Sequence, residues 1–95
     1  MIVVRDVFTA KPGMASKLAK LMKEATSGFS GGKVRVLTDL VGGYNTVVME
    51  TEFADLAGFE KRTKEYMEMP DMRQKMAGYT DLWLTGHREI LRVTE

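Results

Sequence analysis

Residues 34–53, VRVLTDLVGGYNTVVMETEF, decide the fold. Residues 34–41 and 46–53 are two runs rich in β-branched side chains with the alternation of strands. Between them stands Gly42-Gly43-Tyr44-Asn45, where Gly and Asn accept positive φ and turn the chain back on itself. The reading is an antiparallel hairpin in mid-chain. On its N-terminal side, Met14, Leu18, Leu21, Met22, Ala25 and Phe29 recur at helical spacing, opposite Lys17, Lys20, Lys23 and Glu24. This predicts an amphipathic helix over residues 13–28, with Gly28 as C-cap and Ser30-Gly31-Gly32 as the loop into the hairpin. Before it, residues 2–10 read as a strand ended by Lys11-Pro12-Gly13.

On the C-terminal side, Asp55 is the expected N-cap of a second helix. Phe59, Thr63, Tyr66 and Met67 share one face of it. Pro70 lacks an amide hydrogen and clashes with the preceding turn, so a break is expected near Met69-Pro70, with Asp71 capping a restart. Met72, Met76, Tyr79 and Trp83 then resume the helical stripe, Gly86 closes it, and residues 88–94 form the last strand. The order is βαββαβ. It predicts one α+β domain over residues 1–95, a sheet with both helices on one face.

Ninety-five residues hide only about 60–65% of the unfolded surface, so a partner would add materially to a modest core. The 14 basic and 13 acidic residues nearly cancel, which argues against broad capture of nucleic acid or anionic membrane. The chain contains no cysteine, which excludes disulfides, thiolate metal sites and cysteine nucleophiles. A single histidine excludes a multi-histidine metal site within one chain. The opening residues lack a signal-peptide pattern, and no apolar run approaches the roughly 20 residues that span a bilayer. A cytoplasmic setting is the expectation. Nothing in the residues requires an organic cofactor or a metal.

Alternation divides each strand between two faces. The low-charge sets are Ile2, Val4, Asp6 and Phe8; Val34, Val36, Thr38 and Leu40; Val47, Met49, Thr51 and Phe53; and Glu89, Leu91 and Val93. Burial against the helices accounts for these. The remaining sets mix Val3, Val7, Leu37, Val41, Val48 and Ile90 with Arg5, Arg35, Asp39, Glu50, Glu52, Arg88 and Arg92. Such a face suits a partner sheet, and a second copy of the chain is the simplest partner. The ordinary alternative is a solvated outer face whose apolar residues serve strand propensity. On this reading the chain is a dimer in solution, and Val48→Asp disturbs assembly more than a change at exposed Lys20.

These elements resemble the dimeric α+β barrel superfamily, which includes the antibiotic-biosynthesis monooxygenase-like and NIPSNAP-like proteins. The opening strand, Lys11-Pro12-Gly13 and the amphipathic helix look like their N-terminal half. Residues 69–74 (MPDMRQ) and 86–92 (GHREILR) look like the end of the NIPSNAP-type pattern. The resemblance implies a ferredoxin-like sheet of order 4-1-3-2 and a homodimeric barrel built by packing two sheets through their helix-free faces. It also implies a range of activities, among them cofactor-independent oxygenases, haem-degrading enzymes and isomerases, and fold alone does not choose among them. The haem-degrading members use an Asn on the first strand with a Trp and a His. This chain has Trp83 and His87, but Val7 and Phe8 stand where that Asn is expected, and Asn45 lies in a turn.

The candidate chemistry is thin. Histidine is the side-chain type whose ordinary titration lies near neutrality, and His87 could act as a base or haem ligand; alternation puts it on the helix side at the edge of the last strand, where a histidine bonded to a loop carbonyl is the ordinary alternative. Tyr66, Tyr79 and Trp83 form an aromatic series on the second helix that could hold a flat ligand or simply pack. Arg5 with Glu50 and Glu52 could form an enclosed charged site or a register-fixing ion pair. Eight methionines could give a pliable pocket wall or fill a core. An RNA-recognition reading of the same βαββαβ order fails, because Val48 and Glu50 stand where mid-strand aromatics are needed.

The functional expectation is a protein binding a small apolar or aromatic molecule between the sheet and the second helix. Oxygenase-like or isomerase-like chemistry on that ligand and a non-enzymatic assembly role remain open alternatives. Arg5 and His87 are the catalytic candidates; Tyr66, Tyr79, Trp83 and Glu50 are the binding candidates. A pocket above roughly 300 Å³ with convergent polar groups would mark ligand binding, and a face packed solid by a partner would mark assembly.

Overall fold

The computed structural model describes residues 1–27 and 33–94. Its elements are β1 (Ile2–Ala10), α1 (Ala15–Thr26), β2 (Lys33–Thr38), β3 (Thr46–Phe53), α2 (Leu56–Glu68), α3 (Met72–Lys75), a 3-10 turn (Tyr79–Asp81) and β4 (Trp83–Arg92). The four strands form one antiparallel sheet of order β2-β3-β1-β4. This is the expected ferredoxin-like arrangement. The expected Gly28 cap, Phe29 and the Ser30-Gly31-Gly32 loop lie outside the described residues.

Each element follows from local chemistry. Gly13, at φ 81, makes the turn in which Met14 N donates to Lys11 O, and α1 starts at Ala15. Leu18, Met22 and Ala25 are its buried face. Its last turn is closed from below by Thr26 Oγ1 donating to Met22 O and Ser27 Oγ to Glu24 O, both at 2.8 Å. The β2–β3 connection turns at Gly42 (φ 143) and Asn45 (φ 63). Asp39 Oδ1 accepts from Thr46 N at 3.0 Å, and Ala10 N donates to Asn45 O at 2.8 Å, tying the turn to β1. Asp55 caps α2 as expected, its carboxylate accepting from Gly58 N at 2.9 Å.

Several boundaries differ from the sequence reading. β2 ends at Thr38, and Leu40 and Val41 lie in the turn, 96% and 95% exposed. The Asp39–Thr46 bonds close the hairpin earlier than residue hydropathy suggests. α2 ends at Glu68, Met69 is extended at ψ 117, and Pro70 follows. Asp71 does stand at the N-cap of α3, but among the described residues its side chain makes no capping bond; its carboxylate stands 3.7 Å from Lys75 Nζ instead. The helical stripe ends early, so Trp83 opens β4 and Gly86 lies inside that strand.

The phase of β4 is also corrected. Pairing sets Arg88 beside Asp6, Ile90 beside Val4, His87 beside Val7 and Glu89 beside Arg5. Arg88 and Ile90 therefore face the helices, and His87, Glu89 and Leu91 face away. The sequence reading had this inverted. Both sets of β4 carry comparable apolar content, so alternation could not choose. The register is held instead by the Asp6–Arg88 ion pair and by Gly86, over whose Cα the Phe8 ring lies.

Among the described residues the packed core is Ala10, Leu18, Met22, Val47 and Leu82, with Phe8, Met49 and Trp83 against it. It sits under α1. No α2 residue is buried, and α2 meets the sheet chiefly through Phe59, whose ring centroid is 5.8 Å from that of Phe53. The space beneath α2 is only partly filled.

Candidate functional site

That space is a cavity of about 210 Å³ between the helix layer and the sheet. Its floor is Val4, Asp6 and Phe8 of β1, Met49, Thr51 and Phe53 of β3, and Arg88 of β4. Its roof is Phe59, Arg62, Thr63 and Tyr66 of α2, with Met76 and Tyr79 from the segment after α3. α1 closes one side with Met22, Ala25 and Thr26. Alternation puts β1 and β3 residues of one parity on the floor, and the helical repeat of Phe59, Arg62, Thr63 and Tyr66 supplies the roof.

The polar groups are few and specific. Arg88 Nε donates to Asp6 Oδ1 at 2.6 Å, and Asp6 is 8% exposed. The guanidinium carbon of Arg88 lies 5.4 Å from the Phe59 ring centroid, and that of Arg62 lies 5.5 Å from the Phe53 centroid. Each cation thus rests on an aromatic face of the cavity wall. Burial lowers the Arg62 pKa from its usual value, opposed by the nearby Glu65 charge. Burial, and secondarily Tyr79, raises the Tyr66 phenol above its usual value.

The six expected site residues do not form one site. Tyr66 and Tyr79 line the cavity. Trp83 stands behind it, 5.3 Å from the Phe8 ring and 6.2 Å from Tyr79, with its indole Nε1 buried and without a hydrogen-bond partner among the described residues. Arg5, Glu50 and His87 are on the opposite, helix-free face. There the register aligns Arg35, Glu50, Arg5 and Glu89 in one row across all four strands. Glu50 Oε1 accepts from Arg35 at 2.6 Å, its Oε2 stands 3.0 Å from Arg5 Nε, out of line for a hydrogen bond, and Arg5 Nη1 stands 3.7 Å from Glu89. The adjoining row is Leu37, Val48, Val7 and His87.

Asp6, Arg88, Arg62 and Phe59 were not singled out for the site from sequence. Asp6 carried a signal: it is the one charged residue in the otherwise uncharged set of β1, and it is buried. Among the described residues no cluster of three His, Cys, Asp or Glu could hold a metal ion. No helix there is long and apolar enough to cross a membrane.

No family model matches the chain, and no curated protein matches it. Solved structures do. The fold is similar to an uncharacterized NIPSNAP domain protein from Burkholderia xenovorans, with a TM-score of 0.85 at 14% identity, covering 99% of this chain and 95% of that one. A NIPSNAP family protein from Agrobacterium tumefaciens gives 0.85 at 17% identity, covering 99% and 86%. A candidate antibiotic biosynthesis monooxygenase from Chloroflexus aurantiacus gives 0.78 at 14% identity, covering 99% and 94%. The chain therefore shares the fold of these proteins.

Proposed function

We propose that this chain binds a small apolar or aromatic molecule in the cavity beneath α2. The observation that carries the reading is the cavity itself, walled by Phe8, Met22, Met49, Phe53, Phe59 and Met76 and holding the ion pair of buried Asp6 with half-exposed Arg88. Apolar walls with a few convergent polar groups are the usual makeup of a ligand site. At about 210 Å³ the cavity is smaller than the roughly 300 Å³ expected for such sites, which confines the ligand to a single ring or short chain. The tyrosines Tyr66 and Tyr79 are placed to contact it. If the ligand is transformed, oxygenase-like or isomerase-like chemistry would draw on these phenols and on Arg88 and Arg62, not on Arg5 or His87.

The protein works as a homodimer, joined through the helix-free face. Leu37, Leu91, Val3 and Val7 on that face support this, as does the family resemblance. Pro70 is the cause of the interruption between α2 and α3, and with it of the wall that Met76 and Tyr79 form. A cytoplasmic setting is part of the same reading. Haem is disfavoured, because His87 and Trp83 occupy opposite faces of β4.

Crystals soaked with single-ring aromatic metabolites test the reading. Density is expected between Phe59 and Met49. An unoccupied cavity across such a series, with melting temperature unmoved by any of them, refutes it and leaves the second reading, a helix-free face that exists only for assembly.

A further inference from the structure

Among the described residues three charged side chains line the cavity: Asp6, Arg62 and Arg88. The single carboxylate is committed. Asp6 takes the Nε–H of Arg88 at 2.6 Å, the one hydrogen bond of that guanidinium among the described residues. The Nη edge of Arg88, the fork that grips a carboxylate with two parallel bonds, keeps its donors. The Arg88 side chain is about half exposed, so the fork lies where the cavity meets solvent, while its Asp6 end is buried. Partial burial lowers the pKa of the second cation, Arg62, and the charge of Glu65, which is not part of the lining, opposes this. Among the described residues the lining thus holds two guanidinium groups and one carboxylate, in surroundings that strengthen electrostatic interactions.

We infer that the cavity takes a small organic acid, with its carboxylate on the Nη edge of Arg88 and its apolar body among Phe8, Met49 and Phe53. This rests on the cavity being a ligand site. A cationic ligand would have to displace Arg88 from Asp6 and strand a guanidinium, and a neutral one would offer the fork only an uncharged acceptor, a weaker match than a carboxylate. Asp6 is then a positioning residue: its bond to Nε fixes the plane of the guanidinium and so the direction of the fork.

The test uses three probes of one shape, 4-ethylbenzoate, 4-ethylbenzamide and 4-ethylbenzylamine, titrated at neutral pH by calorimetry and by amide NMR shifts of Val4 and Thr51. The benzoate is expected to bind roughly tenfold or more tighter than the benzamide, with the amine weakest. Raising salt from about 0.05 to about 0.5 M should weaken the benzoate and spare the benzamide. In the Asp6→Asn/Arg88→Gln double variant, which keeps a neutral hydrogen-bonded pair, the benzoate preference should fall to within about twofold while benzamide affinity holds. Equal benzoate and benzamide affinity in the native protein, or a preference that survives the double variant, overturns the acid assignment and leaves the cavity a ligand site. Should no probe shift Val4 or Thr51 at millimolar concentration, the cavity reading and the acid assignment fall together. The salt arm decides the matter without any variant, should the double variant not fold.

Discussion

Asp6 and Arg88 are 82 positions apart and meet at 2.6 Å. Removing Arg88 leaves the Asp6 carboxylate in a poorly hydrated place. Arg88→Ala should cost about 2 kcal/mol, discounted for the exposed end of the arginine, and Asp6→Asn/Arg88→Gln should cost less than the single change. Urea unfolding of both variants measures the difference. Tyr66 gives a pH dependence. Its raised folded pKa means that the unfolded chain releases the phenolic proton first as pH rises. The stabilisation is therefore complete below about pH 10 and is lost as pH climbs through the folded value. Tyr66→Phe should flatten the alkaline fall in melting temperature. At this scale the sequence was only partly legible. Tyr66 and Tyr79 stood out as aromatics on a helical stripe, and both reach the cavity. The Asp6–Arg88 pair did not, because its formation depends on a strand register that no local pattern encodes.

Among the elements, β4 is the most informative. A Cβ at residue 86 would stand 2.7 Å from Phe8 Cδ1 and 2.9 Å from Cε1, so the ring must move. Gly86→Ala should cost about 1–3 kcal/mol, and pairing it with Phe8→Leu should recover part of that. A double-mutant cycle in denaturant checks the coupling. The fully buried Leu18 of α1 is a different case, because its loss opens a void: Leu18→Ala should cost about 2–5 kcal/mol. α1, β1, β3 and the Asp55 cap were readable because periodicity, turn residues and capping chemistry all agree there. β4 was not. Met72, Met76, Tyr79 and Trp83 keep a helical interval, yet α3 lasts four residues and Trp83 is already in the sheet. The last two members of that series owe their positions to the 3-10 turn, where Leu82 N donates to Tyr79 O, and to the bond from Lys11 N to Leu82 O.

For the whole molecule, the proposed homodimer makes the helix-free face the place to test association. Light scattering on a size-exclusion column should give the mass of two chains. Val48 is a poor probe of this, because it is already 7% exposed in the single protomer and an aspartate there would unfold it. Leu37 and Leu91, 38% and 46% exposed, are better. Leu37→Asp or Leu91→Asp should shift the mass toward one chain with little loss of protomer stability, and Lys20→Asp should do neither. The row Arg35, Glu50, Arg5, Glu89 alternates in sign from edge to edge. Read backwards it is its own electrical complement. Two copies related by a two-fold axis running along the strands, between β3 and β1, bring every plus opposite a minus; an axis running along the row sets plus on plus. Four side chains thus discriminate between two ways of clasping the same pair of sheets, a handshake that matches in one grip and repels in the other.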